Sequence, residues 1–150
     1  MRALTVTLIL GVLVFVLTAC QTTGSKGYGQ PRKDSTTPDG YYIPRDLDDA
    51  LTEVDRIMGS SGRADVLKAK ESDMIEYHYT IGLFMRNFWL RHHSRLGQYF
   101  RQLGIDEYDD MSGIILHSYW RQLHGKPIDL NGQVRYYQDY WKKERSNGGS

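Results

Sequence analysis

The sequence predicts an all-α fold, a small single-domain bundle of about five helices. Apolar residues recur at intervals of three and four positions over most of the chain after residue 46, which is the period of a helix that buries one face. No stretch alternates apolar and polar residues strongly enough to indicate a strand. Residues 45–126 contain no proline, so long helices are permitted there.

The first two expected helices are separated by a glycine-rich stop. Asp46 is of the type that caps a helix, and an apolar face follows it. That face consists of Leu47, Ala50, Leu51, Val54, Ile57 and Met58. We expect the Gly-Ser-Ser-Gly run at 59–62 to end this helix, and a second, weaker helix to cover residues 64–70.

A third helix is expected to start at Ser72 or Asp73 and to run to about Trp89. Its buried residues are expected to be Met74 or Ile75, Ile81, Met85 and Phe88. Gly82 lies inside it and is unfavourable there unless another part of the chain packs closely against it.

Capping residues and glycines mark the next two helices. Ser94 can cap a helix that Gly104 closes, and Asp109 or Asp110 can cap another that ends before Gly125. A final amphipathic helix is expected over residues 130–143, with Val134, Tyr137 and Trp141 towards the core and Tyr136 off that face and free for contact.

The N-terminal segment points to export. Residues 3–17 carry no charge, follow Arg2 and end in Leu17-Thr18-Ala19-Cys20. A run shorter than the roughly 20 apolar residues of a spanning helix fits a secretory signal better. The ending resembles the lipobox of bacterial lipoproteins, in which the cysteine is lipidated and becomes the first mature residue. An uncleaved N-terminal anchor with Cys20 as an incidental thiol is the alternative.

The lipobox resemblance implies a layout and a location. Residues 1–19 would be a signal peptide, residues 20–40 a lipidated flexible tether rich in small polar residues, residues 41–145 the helical domain, and residues 146–150 a disordered tail. Lipid on Cys20 would hold the protein to a membrane of the bacterial cell envelope. Gln21 in place of aspartate implies the outer membrane if the host is Gram-negative.

Composition excludes some partners and supports no particular chemistry. Without residues 1–19 the basic and acidic side chains balance, so nucleic acid is not an expected partner. Cys20 is the single cysteine, and His117 and His124 stand seven positions apart, too far along a helix to share an ion. We therefore expect no metal, no cofactor and no catalytic residue that the sequence alone can name.

Residues 42–141 resemble a bacterial domain family of unknown function. The resemblance rests on Tyr42-Ile43-Pro44, on Asp46-Leu47-Asp48-Asp49-Ala50 and, most specifically, on Asp109-Asp110-Met111-Ser112-Gly113-Ile114-Ile115-Leu116. It implies a related fold and carries no known reaction.

The leading functional hypothesis is a non-enzymatic, lipid-anchored module that binds another protein. An immunity or inhibitor protein held at the membrane is one special case. Arginine and tryptophan are enriched at the energetic centres of protein interfaces. The expected binding face is Arg86, Trp89, Arg91, His92, His93 and Arg95.

Two alternatives stay open around Arg86. Its guanidinium could pair internally with Asp109 or Asp110 and lock two helices together. Alternatively, Arg86, Asn87, Asp109 and Asp110 could line a pocket between helices, which would make the protein an envelope enzyme or a small-ligand binder.

The lipobox interpretation makes a direct prediction. Replacing Cys20 with alanine should abolish membrane retention, because the sulfur is the attachment point of the acyl chains. Fractionation of cells followed by a carbonate wash measures this. A Cys20→Ala protein that still behaves as an integral membrane protein would contradict it.

Overall fold

The computed structural model describes residues 27–91 and 93–147, and the all-α prediction is confirmed in them. The helices are α1 (Leu47–Lys68), α2 (Met74–Tyr77), α3 (Leu83–Phe88), α4 (Arg95–Gln102), α5 (Tyr108–Leu123) and α6 (Leu130–Asn147). A 3₁₀ turn (Glu71–Asp73) precedes α2, and a π-helical turn (His78–Gly82) joins α2 to α3. The described residues form no strand, only an isolated bridge between Lys33 and Tyr41.

Helix α5 is the centre of the domain. It packs against α1, α2, the π turn, α3, α4 and α6. Its buried side chains include Met111, Ile114, Ile115, Leu116, Tyr119 and Trp120. Because the other helices bury their apolar faces mainly against this helix, its burial on most sides defines the hydrophobic core.

The glycine-rich stop at 59–62 does not end α1. Asp46 caps the helix as expected, since its carboxylate accepts a hydrogen bond from the Asp49 amide at 2.9 Å. The chain leaves helical geometry only at Gly59, where φ is 57°, and then resumes the helix. The two expected helices are therefore one kinked helix.

The expected third helix is divided. The π turn inserts an extra residue between α2 and α3, which shifts the faces on either side of it. Met74 is buried and Ile75 is exposed. A Cβ on Gly82 would lie 3.2 Å from both the Tyr77 carbonyl oxygen and Nη1 of Arg86, so the expected close approach is present.

The caps of the following helices are partly as expected. Ser94 caps α4, since its hydroxyl accepts from the Gly97 amide at 3.1 Å. The prediction that Asp109 or Asp110 caps α5 is wrong, because the helix already begins at Tyr108 and both aspartates lie in its first turn. There they still oppose the positive end of the helix dipole.

Residues 27–42 do not behave as the free tether expected over residues 20–40. The Gly29 amide donates to the Ile57 carbonyl at 2.9 Å, and the Arg32 guanidinium lies 2.8 Å from the Glu53 carboxylate. The folded part therefore starts before residue 41, because polar contacts to α1 compensate for the scarcity of apolar side chains. Helix α6 likewise continues through Ser146 and Asn147, into the expected disordered tail.

Several expectations fall outside the described residues. These are the signal peptide, the lipobox with Cys20, residues 21–26 of the tether, His92 and residues 148–150. Within the described ranges, no helix is long and apolar enough to cross a membrane.

The kink in α1 makes a stability prediction. A Cβ at Gly59 would meet the Gly27 carbonyl oxygen at 2.1 Å, whereas a Cβ at Gly125, which also has positive φ, meets nothing within 4 Å. Gly125→Ala should cost about 1–2 kcal/mol from backbone conformation alone. Gly59→Ala should cost at least about 1 kcal/mol more, because the segment of residues 27–42 that packs against the kink must also move. Urea denaturation measures both, and equal losses would contradict the docking.

Candidate functional site

Arg86 is part of the internal structure. Its side chain is 15% exposed, and its Nε lies 2.9 Å from Oδ1 of Asp109. The guanidinium also donates to the Ser112 hydroxyl at 3.1 Å and to the His78 carbonyl at 3.1 Å. Arg86 therefore ties α3 to the π turn and to α5. This is the internal pairing with Asp109 that the sequence left open, and it removes Arg86 from the expected binding face.

Trp89 does not lie on a surface either. Its side chain is fully buried, and its ring packs edge-on against Phe84 with centroids 5.5 Å apart. Its indole nitrogen has no hydrogen-bond partner among the described residues. The expectation that Trp89 contributes to an exposed binding face is wrong, because Trp89 follows the buried Met85 by four residues and lies on the same helical face.

A cavity of about 580 Å³ is lined on one side by the other described residues of the expected binding face. We call it the loop cavity. It lies between the turn of residues 34–39 and the connection from α3 to α4. Its basic lining residues are Arg91, His93 and Arg95. Its volume falls within the range of about 300–1,000 Å³ that is usual for ligand sites.

The loop cavity combines an apolar lining with charges of both signs. Ile43, Phe88 and Pro38 contribute the apolar part of its lining. Asp34 and Asp39 lie on the side of the N-terminal turn. Hydrogen bonds from the Thr36 hydroxyl and amide, with smaller contributions from the positive charges of Arg95 and Arg32, lower the pKa of Asp34, so this carboxylate stays ionised at neutral pH.

The basic residues of the loop cavity differ in how they are held. Arg95 donates from Nε to the Ile43 carbonyl at 2.6 Å, and its guanidinium lies 4.8 Å from the Tyr42 ring centre. Arg91 is exposed, and its side chain has no ion-pair or hydrogen-bond partner among the described residues. Arg95 is thus a fixed part of the wall, and Arg91 is available to an outside partner.

One wall of the loop cavity depends on a buried carboxylate that sequence reasoning missed. Glu53 is 2% exposed, and its oxygens lie 2.8 Å from the guanidinium of Arg32 and 2.7 Å from that of Arg56. Arg32 also stacks on the Tyr42 ring at 3.3 Å. The available signal was the position of Glu53 within the apolar face of α1, three residues after Ala50.

The same wall is joined to the start of α1. Tyr42 Oη donates to Oδ2 of Asp49 at 2.6 Å, and the Arg45 amide donates to the same oxygen at 3.0 Å. Burial acts to raise the pKa of Asp49, but these hydrogen bonds outweigh it and the pKa lies below its ordinary value. Asp49 therefore remains ionised and holds the segment at neutral pH.

The alternative pocket does not form as a single site. Asn87 lines the loop cavity, whereas Asp109 and Asp110 line a small cavity of about 160 Å³ beside α2. Asp110 faces α6 and accepts a hydrogen bond from Trp141 Nε1 at 2.6 Å. Burial raises the pKa of Asp110. Arg86 does not line this small cavity but contacts two residues that do, Asp109 and His78.

The site offers no grouped metal ligands. In residues 27–91 and 93–147 no three histidine, cysteine, aspartate or glutamate side chains come close enough to hold an ion. Fold and cavity together define a small helical domain with a surface recess between the N-terminal turn and the α3–α4 connection.

Residues 43–123 match the model of a family described as a domain of unknown function (DUF6794). The match covers more than half of the chain, and the chain belongs to this family. It runs from the entrance of α1 to the end of α5, so Arg91 and Arg95 lie within it and the turn of residues 34–39 lies outside. A search of curated proteins and a search of solved structures each found no match.

The Arg86 contacts generate a stability prediction. Arg86→Lys should lower the free energy of unfolding by about 1–3 kcal/mol, because an ammonium cannot reach the Asp109, Ser112 and His78 acceptors together. Asp109→Asn should cost less than about 1 kcal/mol, because that carboxylate is 67% exposed. Thermal and urea denaturation measure both. A lysine variant as stable as the wild type would contradict the structural role of Arg86.

Proposed function

We propose that this chain is a lipid-anchored protein of the bacterial envelope whose helical domain binds another protein at the loop cavity. The observation that supports this is the unpartnered Arg91 beside a recess of about 580 Å³ with apolar lining residues. Protein interfaces commonly place an apolar anchor in a recess and surround it with a polar rim.

The lining indicates what the partner presents. Phe88 and Ile43 can contact an apolar side chain of the partner, and the Arg91 guanidinium can pair with a carboxylate next to that side chain. Asp34 and Asp39 on the opposite side favour a basic group there. A protruding loop or helix end with an apolar residue flanked by charges of both signs fits this arrangement. An immunity or inhibitor protein is a special case of the proposal.

The anchor would place this recess near the membrane. Residues 21–26 are the only ones between Cys20 and the described chain, and six residues span at most roughly 20 Å at ~3.3–3.6 Å each. Residues 34–39 follow soon after residue 26 in the chain. The loop cavity would therefore lie no further from the lipid than about the width of the domain. The partner is therefore expected to be a membrane protein or one that reaches the membrane surface.

The test is crosslinking in cells followed by affinity capture of the lipidated chain and mass spectrometry. Three proteins are compared: the wild type, Arg91→Glu and Arg135→Glu. Arg135 is an exposed arginine of α6 that does not line the loop cavity, so it controls for the change of charge.

We expect one dominant partner whose recovery falls at least about tenfold with Arg91→Glu, the loss typical of a reversed charge at an interface. Recovery should be unchanged with Arg135→Glu. No enriched partner, or equal losses in the two variants, would contradict the proposal.

A further inference from the structure

A second recess lies between α5, α6 and the 3₁₀ turn, away from the loop cavity. Its volume is about 470 Å³, again within the usual range of about 300–1,000 Å³ for small-molecule sites. We call it the tyrosine cleft. Its polar lining residues are Glu71, His117, Arg121, Asp129 and Gln133, and its aromatic ones are Tyr136 and Tyr137.

The polar side chains of the tyrosine cleft are held in place. Arg121 Nε lies 2.5 Å from Oε1 of Glu71, and its Nη1 donates to the Ile128 carbonyl at 2.9 Å. The Gln133 amide nitrogen donates to the Ser118 hydroxyl at 3.0 Å and to the same Ile128 carbonyl at 2.8 Å. These contacts fix the orientations of both Glu71 and Gln133, so little further ordering is required on binding.

Several oxygen atoms in the tyrosine cleft accept no hydrogen bond from the described residues. The second carboxylate oxygen of Glu71 and the amide oxygen of Gln133 have no hydrogen-bond partner in the described part of the chain. Asp129 uses Oδ1 to accept from the Gly132 amide at 3.1 Å and leaves Oδ2 unused there. The tyrosine cleft thus presents several oxygens that require donors from a ligand.

His117 adds a group that can accept or donate. Its Nδ1 lies 3.7 Å from Oε1 of Glu71. Burial lowers the pKa of His117, so the imidazole is neutral at neutral pH and carries one donor and one acceptor nitrogen. A neutral ring beside carboxylates suits a ligand whose groups both donate and accept.

An aromatic ring stands at the edge of these polar groups. Tyr136 is 67% exposed, lies off the core face of α6 and meets Tyr137 edge-on at 5.2 Å between centroids. Burial raises the pKa of the Tyr137 hydroxyl to about 12, so that hydroxyl remains protonated. An exposed tyrosine ring offers a flat apolar surface with a polar tip.

The charges restrict the ligand class. Two carboxylates oppose a phosphate or another multiply charged anion, and Arg121 already neutralises Glu71. A neutral molecule with many hydroxyl donors and one apolar face satisfies the free oxygens and the tyrosine ring together. We propose that the tyrosine cleft binds a saccharide, with pyranose hydroxyls on Glu71, Gln133 and Asp129 and the C–H face of the sugar on Tyr136.

The test uses the full chain in a detergent that has no sugar headgroup. Saturation-transfer NMR and calorimetry are run with the trisaccharides of N-acetylglucosamine, maltose and cellulose type, and with spermidine as an organic cation. The variants are Tyr136→Ala, Tyr136→Phe and Tyr140→Ala. Tyr140 lies one turn further along α6, is 48% exposed and does not line the tyrosine cleft.

We expect at least one trisaccharide to bind. Tyr136→Ala should weaken that binding by about tenfold, the order expected for a lost aromatic contact, while Tyr136→Phe and Tyr140→Ala leave it unchanged. The melting temperature should not move in any variant. Binding of no trisaccharide, binding of spermidine alone, or equal losses with Tyr136→Ala and Tyr140→Ala would overturn the proposal. The proposed protein partner at the loop cavity is tested by the separate experiment with Arg91→Glu, so either proposal can fail without the other.

Discussion

The buried carboxylate of Glu53 is the constraint on which one wall of the loop cavity depends. A carboxylate that is 2% exposed needs compensation, and the guanidinium groups of Arg32 and Arg56 provide it at 2.8 and 2.7 Å. Because Arg32 belongs to the segment before α1, satisfying Glu53 also draws that segment onto the domain. Its turn at residues 34–39 then forms one side of the loop cavity.

Both recesses lie where the family domain meets chain outside it. The domain matched over residues 43–123 ends with α5, the helix that most others pack against. The loop cavity takes its second wall from residues 34–39, and the tyrosine cleft takes its second wall from α6. A protein with the same helical core but with other segments before and after it would therefore present different recesses.

Short-range sequence patterns predicted most of the helices. The two recesses, in contrast, are formed by residues that are distant from one another in the sequence. Asp46 and Ser94 were recognised because capping depends on the next three residues. The burial of Trp89 was available from its position four residues after the buried Met85, a spacing that places both side chains on one helical face. Arg91 and Arg95 were recognisable as a basic group, but the opposite wall of their cavity lies some fifty residues earlier. Glu71 and His117 meet across a comparable separation.

The most direct test of this account is amide hydrogen exchange of the full chain over residues 27–42. The Gly29 amide donates to Ile57 and the Tyr42 amide donates to Arg32, each at 2.9 Å. Docking therefore predicts that both exchange well below the unprotected rate, and that an Arg32→Ala variant loses this protection. Exchange at the unprotected rate in the wild type would show that the segment is free, and the loop cavity would then lack its wall.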